Sequence, residues 1–278
     1  MKMTIMETIA YFAIIFFLLG RVISGIVGRK RERETDSSFA SASTKGTKEI
    51  QADVIEVEQK EAGFLAVMAD GIGKENTGKC CARIAVDTIL DAYESYEVMG
   101  NVTYFFQSSF LEANEKIQKT IGERRGGCSL LAIFQKNQKL SYALAGEIKL
   151  AFFRNGEFIP VSKGQTVAHL AKEAFYEGNL SKYETIWSQE ENTIWNYVGK
   201  EGFHDIEQSN PPIQVKQGDI VIGMTKGIYE QVSFATIENI VREPSSLQEK
   251  ADQIVMEAEK NREVEKENGS VLLFKVEV

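Results

Sequence analysis

"FLAVMADGIGKENTGKCCARIAV", residues Phe64–Val86, changes its period midway. Phe64 to Ala69 form an unbroken apolar run, the pattern of a strand covered on both faces. Asp70-Gly71 then closes the run with a turn dipeptide. Beyond it, Cys81, Ala85, Ile89 and Ala92 recur at helical spacing and mark one apolar face. A buried strand therefore leads through an Asp-Gly turn into an amphipathic helix.

The flanks extend this unit. Upstream, "DVIEVEQ" (53–59) alternates as a half-buried strand does. Downstream, Phe106, Phe110, Ala113, Ile117 and Ile121 predict a second helix. Three strand-like runs follow, "CSLLAIFQ", "KLSYALAG" and "KLAFFRNGEFIPV", joined or divided by "KNQK" and "RNGE". Both look like tight hairpin turns, the second with the favoured Asn-Gly. Residues 165–213 lean helical, contain Trp187 and Trp195, and are expected to form an inserted flap. "IVIGM" (220–224) predicts another buried strand. "PSSLQEKADQIVMEAEK" predicts a helix with Ser at its start and Leu247, Ala251, Ile254, Val255 and Ala258 on one side. "SVLLFKVEV" closes the chain as a strand. Consecutive hairpins with helices between blocks predict an α+β fold. Its expected form is two packed antiparallel sheets flanked by helices, a four-layer α-β-β-α sandwich.

The chain has 278 residues, 43% hydrophobic and 26% charged, enough for an ample core. Its net charge is -8, unevenly spread. Residues 1–33 carry six cations against two anions, or +4, which leaves -12 on the remainder. So acidic a body repels nucleic acid, and no basic stripe with interleaved aromatics appears. Cys80, Cys81 and Cys128 are odd in number and lack Cys-x-x-Cys spacing, against both a disulfide framework and a zinc site. His169, His204 and the Cys80/Cys81 pair show no nucleophile–base arrangement.

Ile9–Gly28, "IAYFAIIFFLLGRVISGIVG", has the length of a membrane-crossing helix, and Arg21 near its end can snorkel to the headgroups. A secretory signal fits less well, because no small-x-small cleavage site follows and the positive charge comes after the apolar run. "RKRER" (29–33) places the body in the cytoplasm by the positive-inside rule. The expected organisation is an anchor over 1–33, a flexible Ser/Thr-rich linker over 34–45 and a folded domain over 46–278.

Four stretches in order resemble the signature blocks of the PPM, or type 2C, metal-dependent protein phosphatases. They are "GTKEIQADVIEV" (46–57), Phe64–Val86, "GGCSLLAIFQKNQKLSYALAGEIKLAFFRNGEFIPVS" (126–162), and "GDIVIGMTKGIYE" (218–230) with "ENGSVLLFKV" (267–276). The resemblance implies Ser/Thr phosphatase chemistry. Two Mg2+ or Mn2+ ions held by clustered carboxylates share a water that attacks phosphorus in line, and an arginine binds the phosphate.

Matched to that pattern, Asp70 and the Gly71 carbonyl keep the metal-bridging Asp-Gly, which makes Asp70 the catalytic candidate. Asp53 matches the aspartate of the first block. Lys48 stands at the phosphate-binding arginine, keeping the charge without the bidentate fork. Glu147 and Glu267 replace two metal-binding aspartates, each with a longer arm, and Asn268 follows Glu267 as in the family. Lys149 replaces the arginine of Gly-Asp-Ser-Arg. Lys226 replaces a metal-binding aspartate outright. Like charges at about 4 Å repel by about 4 kcal/mol at an effective dielectric near 20, and a divalent ion roughly doubles this. One arrangement therefore sets the Lys226 ammonium in the second metal's place, paired with Asp70 and Glu267. The alternative is a lysine pointing to solvent.

At most one tight divalent ion is expected, with no bound ion as the alternative. Three functions remain open. One is a membrane-tethered, catalytically impaired phosphatase-like protein binding a protein or phosphoprotein. Another is a working Ser/Thr phosphatase with a non-standard site. The third is a non-enzymatic assembly module of a membrane complex.

Overall fold

A computed structural model describes residues 38–95, 101–181, 184, 193–261 and 265–277. The expected membrane helix lies outside them. Among the described residues no helix is long and apolar enough to cross a membrane.

In chain order the elements are β1 (Phe39–Thr44), β2 (Val54–Lys60), β3 (Gly63–Gly73), α1 (Thr77–Ser95), α2 (Val102–Ile121), β4 (Gly126–Lys136), β5 (Lys139–Ala145), β6 (Lys149–Arg154) and β7 (Glu157–Pro160). They continue with α3 (Val167–Tyr176), β8 (Glu207–Gln208), β9 (Ile213–Gln214), β10 (Ile220–Met224), α4 (Lys226–Tyr229), α5 (Phe234–Arg242), α6 (Leu247–Lys260) and β11 (Gly269–Lys275). One sheet runs β1-β11-β10-β6-β7 and the other β2-β3-β4-β5-β8, with β9 also on β5. All named pairings are antiparallel.

Strand alternation builds the layers. Along β3, Phe64, Ala66 and Met68 face the other sheet's Leu150, Phe152, Val221, Leu272 and Phe274. The intervening Leu65, Val67 and Ala69 pack beneath Cys81, Ala85 and Ile89 of α1 and Phe106, Phe110 and Ile117 of α2. Across the molecule, Ile222, Met224, Val271 and Leu273 meet α5 and α6 through Ile237, Ala251, Ile254 and Val255. β3 is apolar from Phe64 to Ala69 because a layer covers each face. The result is the expected α-β-β-α sandwich.

Local chemistry sets the boundaries. Asn137 (φ 53°) and Asn155 (φ 54°) take the left-handed conformation that the β4–β5 and β6–β7 hairpins need. Ser246 and Glu249 form a reciprocal capping box that starts α6.

Two expectations need correction. The segment 34–45 is not a linker throughout, because Phe39–Thr44 is β1, paired antiparallel with β11 from Phe39↔Phe274 to Thr44↔Gly269. The compact unit thus begins at Ser38, not at residue 46. "FASAST" reads as a tether because an edge strand held by backbone bonds needs little apolar patterning, and only Ala40 is buried. Nor is 165–213 only a flap over the core. Val198 pairs with Cys128, Val198 and Phe203 enter the core beside α2, and β8 and β9 extend the sheet. Trp187 lies outside the described residues.

Candidate active site

The register of β2 on β3 brings two carboxylates together. Val54 pairs with Ala69, so Asp53 just before it lies beside Asp70. Asp53 is 8% exposed and its Oδ2 accepts a hydrogen bond of 2.8 Å from the Thr225 hydroxyl, across the gap between the sheets. Its Oδ1 is buried without a donor. Burial, with the Glu267 charge adding, pushes Asp53 up to about 6, against hydrogen bonds from Ser270, Thr225 and Asp70. Burial first, then the charges of Asp53 and Glu267, raise Asp70 well above the carboxylate range. The backbone N–H of Lys226 and its ammonium pull it back.

These shifts have a consequence for stability. An acid whose folded pKa lies above its unfolded value favours the fold only when protonated. The two values here are about 6 and 3.8, so stability rises as pH falls from about 6 toward 4 and is lost above 6. At neutral pH the penalty is on the order of 2–3 kcal/mol. Urea unfolding with a chelator present is expected to give a smaller wild-type advantage for pH 7.5 over pH 5 than Asp53→Asn gives. Identical pH slopes for the two proteins would contradict the shift.

Asp70 and Gly71 line a cavity of about 590 Å³ together with Lys48, Lys226, Glu267 and Tyr197. Gly71 lies against α1 so closely that an added Cβ would sit 2.4 Å from the Gly78 carbonyl oxygen. Asn268 fixes the opposite rim. Its amide donates to the carbonyls of Lys45 and Ile50, and its Oδ1 accepts from the Ala52 N–H.

The charge pairing departs from the sequence expectation. Lys226 opens the short helix α4. Its ammonium pairs at 3.8 Å with Glu230, one helical turn on, and not with Asp70 or Glu267. Its side chain is 32% exposed and lines the cavity, so it is neither free in solvent nor locked between the carboxylates. Glu267 is held by Lys48 at 3.1 Å. Glu147 does not join the cavity wall. It is 5% exposed, pairs with Lys149 at 3.1 Å and leaves Oε2 buried without a donor. Beside it, burial and then the Glu147 charge raise the Tyr229 hydroxyl far above its usual range. The turn Gly146–Lys149 supplies carboxylate and ammonium two residues apart, so they neutralise each other locally.

Thr225 was missed as a site residue. It is the donor that ties Asp53 to the second sheet, and its place beside Lys226 is the one signal the sequence offers. Tyr197 and Ile194, which wall the cavity, carry no sequence signal.

A two-cation centre needs several uncompensated carboxylates. Here Glu267 and Glu147 each have an ammonium, and Lys226 stands on the cavity wall. Among the described residues, no three His, Cys, Asp or Glu side chains converge as a metal site. The residues present do not fit two cations.

No protein-family model matches the chain. The serine/threonine phosphatase stp of Listeria innocua is 22% identical over 208 residues, 72% of this chain and 81% of that protein. The structure of the S. agalactiae serine/threonine phosphatase superposes with a TM-score of 0.76 at 18% identity, covering 86% of this chain and 99% of that one. The catalytic domain of the serine/threonine protein phosphatase PstP, solved with two manganese ions, gives a TM-score of 0.67 at 18% identity over 85% of this chain and 96% of that one. The structural likeness establishes the shared fold. The chain thus shares the fold of these PPM-type phosphatases, and its sequence is similar to that of the curated serine/threonine phosphatases.

Proposed function

We propose that this chain is a phosphatase-fold protein whose hydrolytic activity is impaired and whose principal role is to bind a protein partner of the phosphoprotein class. Lys226 carries the proposal: an ammonium lines the cavity at the position where the family pattern has a metal-binding aspartate. The self-neutralised Glu147–Lys149 pair supports it. Asp70, Asp53 and the Gly71 carbonyl keep oxygens for one hard cation, Mg2+ or Mn2+, which would supply Lewis-acid charge there. Lys48 and Lys226 attract an anion to the mouth, and Lys48 is paired with Glu267 on that wall. Calorimetric titration with Mn2+ is expected to show at most one tight site, with p-nitrophenyl phosphate hydrolysis near background. Two strong Mn2+ sites, or brisk turnover, would replace this proposal with a working phosphatase.

We also propose that residues 9–28 anchor the chain in the cell membrane with the folded domain in the cytoplasm, on the strength of their apolar length and the "RKRER" that follows. The protein is then expected to stay with membranes through carbonate extraction, and protease added to intact cells should leave the domain uncut. Cleavage from outside would reverse the orientation.

A further inference from the structure

The candidate site does not end at its own mouth. A second depression shares Ile72, Gly73, Glu75 and Tyr197 with the cavity. A third shares Arg124, Arg125, Gly126 and Tyr197 with the second. One trough therefore runs from Asp70 past the β3–α1 turn and the α2–β4 link to Lys200. Glycine makes its floor: a Cβ on Gly127 would fall 2.6 Å from the Tyr197 ring, so that ring lies directly against the β4 backbone.

Its charge is distinctive. Lys74, Arg124, Arg125 and Lys200 line the outer trough against Glu75 and Glu201, a local +2 on a chain of -8. Of the five described arginines, Arg83, Arg154 and Arg242 each hold a carboxylate. The other two, Arg124 and Arg125, are adjacent, exposed and in the trough, and neither pairs with a carboxylate among the described residues. Arg124 donates to the Ile121 and Thr120 carbonyls, and Lys200 to that of Trp195, so hydrogen bonds position these charges without neutralising them. A cation held in place and left without a counter-ion is set up for an anionic partner.

We propose that this trough seats an extended acidic segment of a partner protein, whose carboxylates meet Arg124, Arg125, Lys74 and Lys200 while an adjoining residue enters the cavity. The proposal rests on the binding role above and adds the partner's chemistry. A polypeptide suits the site better than a nucleic acid, because the trough is narrow in charge and the body around it is strongly acidic.

The test uses the full chain in a neutral detergent and fluorescence anisotropy at low salt. The probes are a labelled peptide of about a dozen alternating Glu and Ser residues, its Lys counterpart, and a single-stranded oligonucleotide of similar length. The acidic peptide should bind, the lysine peptide should not, and added salt should weaken the binding. Arg124→Glu with Arg125→Glu should raise Kd by about tenfold or more. Lys139→Glu with Lys216→Glu, a matched reversal at the far end of the β4–β5 hairpin, should change it by less than about twofold. Because Arg124 also caps α2, Arg125→Glu alone and Lys74→Glu serve as second variants, each expected to weaken binding several-fold. Equal loss in the control, no loss in any trough variant, or tighter binding of the oligonucleotide would overturn the proposal. Hydrolysis of p-nitrophenyl phosphate, measured on the same preparation, separates the two questions. Brisk turnover with charge-dependent peptide binding removes the impaired-enzyme reading and leaves the trough standing.

Discussion

Lys226→Asp is expected to raise Mn2+ affinity by at least about tenfold and to lift p-nitrophenyl phosphate hydrolysis above background, while destabilising the metal-free protein by about 1–3 kcal/mol. The substitution turns a cation into an anion on a wall that already carries Asp70 and Glu267. Asp70 is pushed toward its neutral form by burial and by two neighbouring carboxylates, and the Lys226 ammonium is one of two groups opposing this. The other, the backbone N–H of residue 226, survives the change. The lost pair with Glu230 matters little, since both side chains are about a third exposed. Added Mn2+ should restore the stability by mass action. Restored activity should be partial, because Lys48 lacks the guanidinium fork and Glu147 stays committed to Lys149. Adding Glu267→Asp and Lys48→Arg should raise it further, and Asp70→Asn should abolish it. Unchanged metal affinity together with unchanged apo stability would show that this side chain does not act on the site.

Gly227→Ala is expected to cost about 3 kcal/mol or more and to disorder the same rim. A Cβ at this position would lie 2.3 Å from the Asn268 carbonyl oxygen and 2.6 Å from that of Glu267. Both are backbone atoms of the segment entering β11. Neither can retreat, because the Gly227 N–H donates to the Asn268 carbonyl at 3.1 Å and the Asn268 side chain is bound to residues 45, 50 and 52. α4 and β11 would have to part, carrying Lys226 and Glu267 with them. Gly156→Ala is the comparison: φ is 84° but nothing lies within 4 Å, so its cost should stay near 1 kcal/mol. Thermal unfolding of both variants measures the difference, and equal melting temperatures would rule out the close approach as the reason for glycine at 227.

The amphipathic helices and buried strands were legible in the sequence because their patterns are local. The apolar run Phe64–Ala69, the helical faces of α1, α2 and α6, and the Asn turns all encode burial or dihedral preference within a few residues. The order of four such stretches was enough to suggest the family. β1 was not legible, since its partner β11 lies more than 200 residues away and an edge strand of Ser, Thr and Ala needs no apolar period. For the same reason residues 193–214 hid their return to the second sheet. In the site, the resemblance to the phosphatase blocks marked Asp53, Asp70, Lys48, Lys226, Glu147 and Glu267. Which charge meets which was decided only in three dimensions. Glu267 went to Lys48 across 219 residues, Thr225 to Asp53 across 172, Glu147 to its neighbour Lys149, and Lys226 to Glu230. Side-chain electrostatics falls off over a few ångströms and long side chains take whichever partner lies within that reach, so only the folded chain determines the pairing.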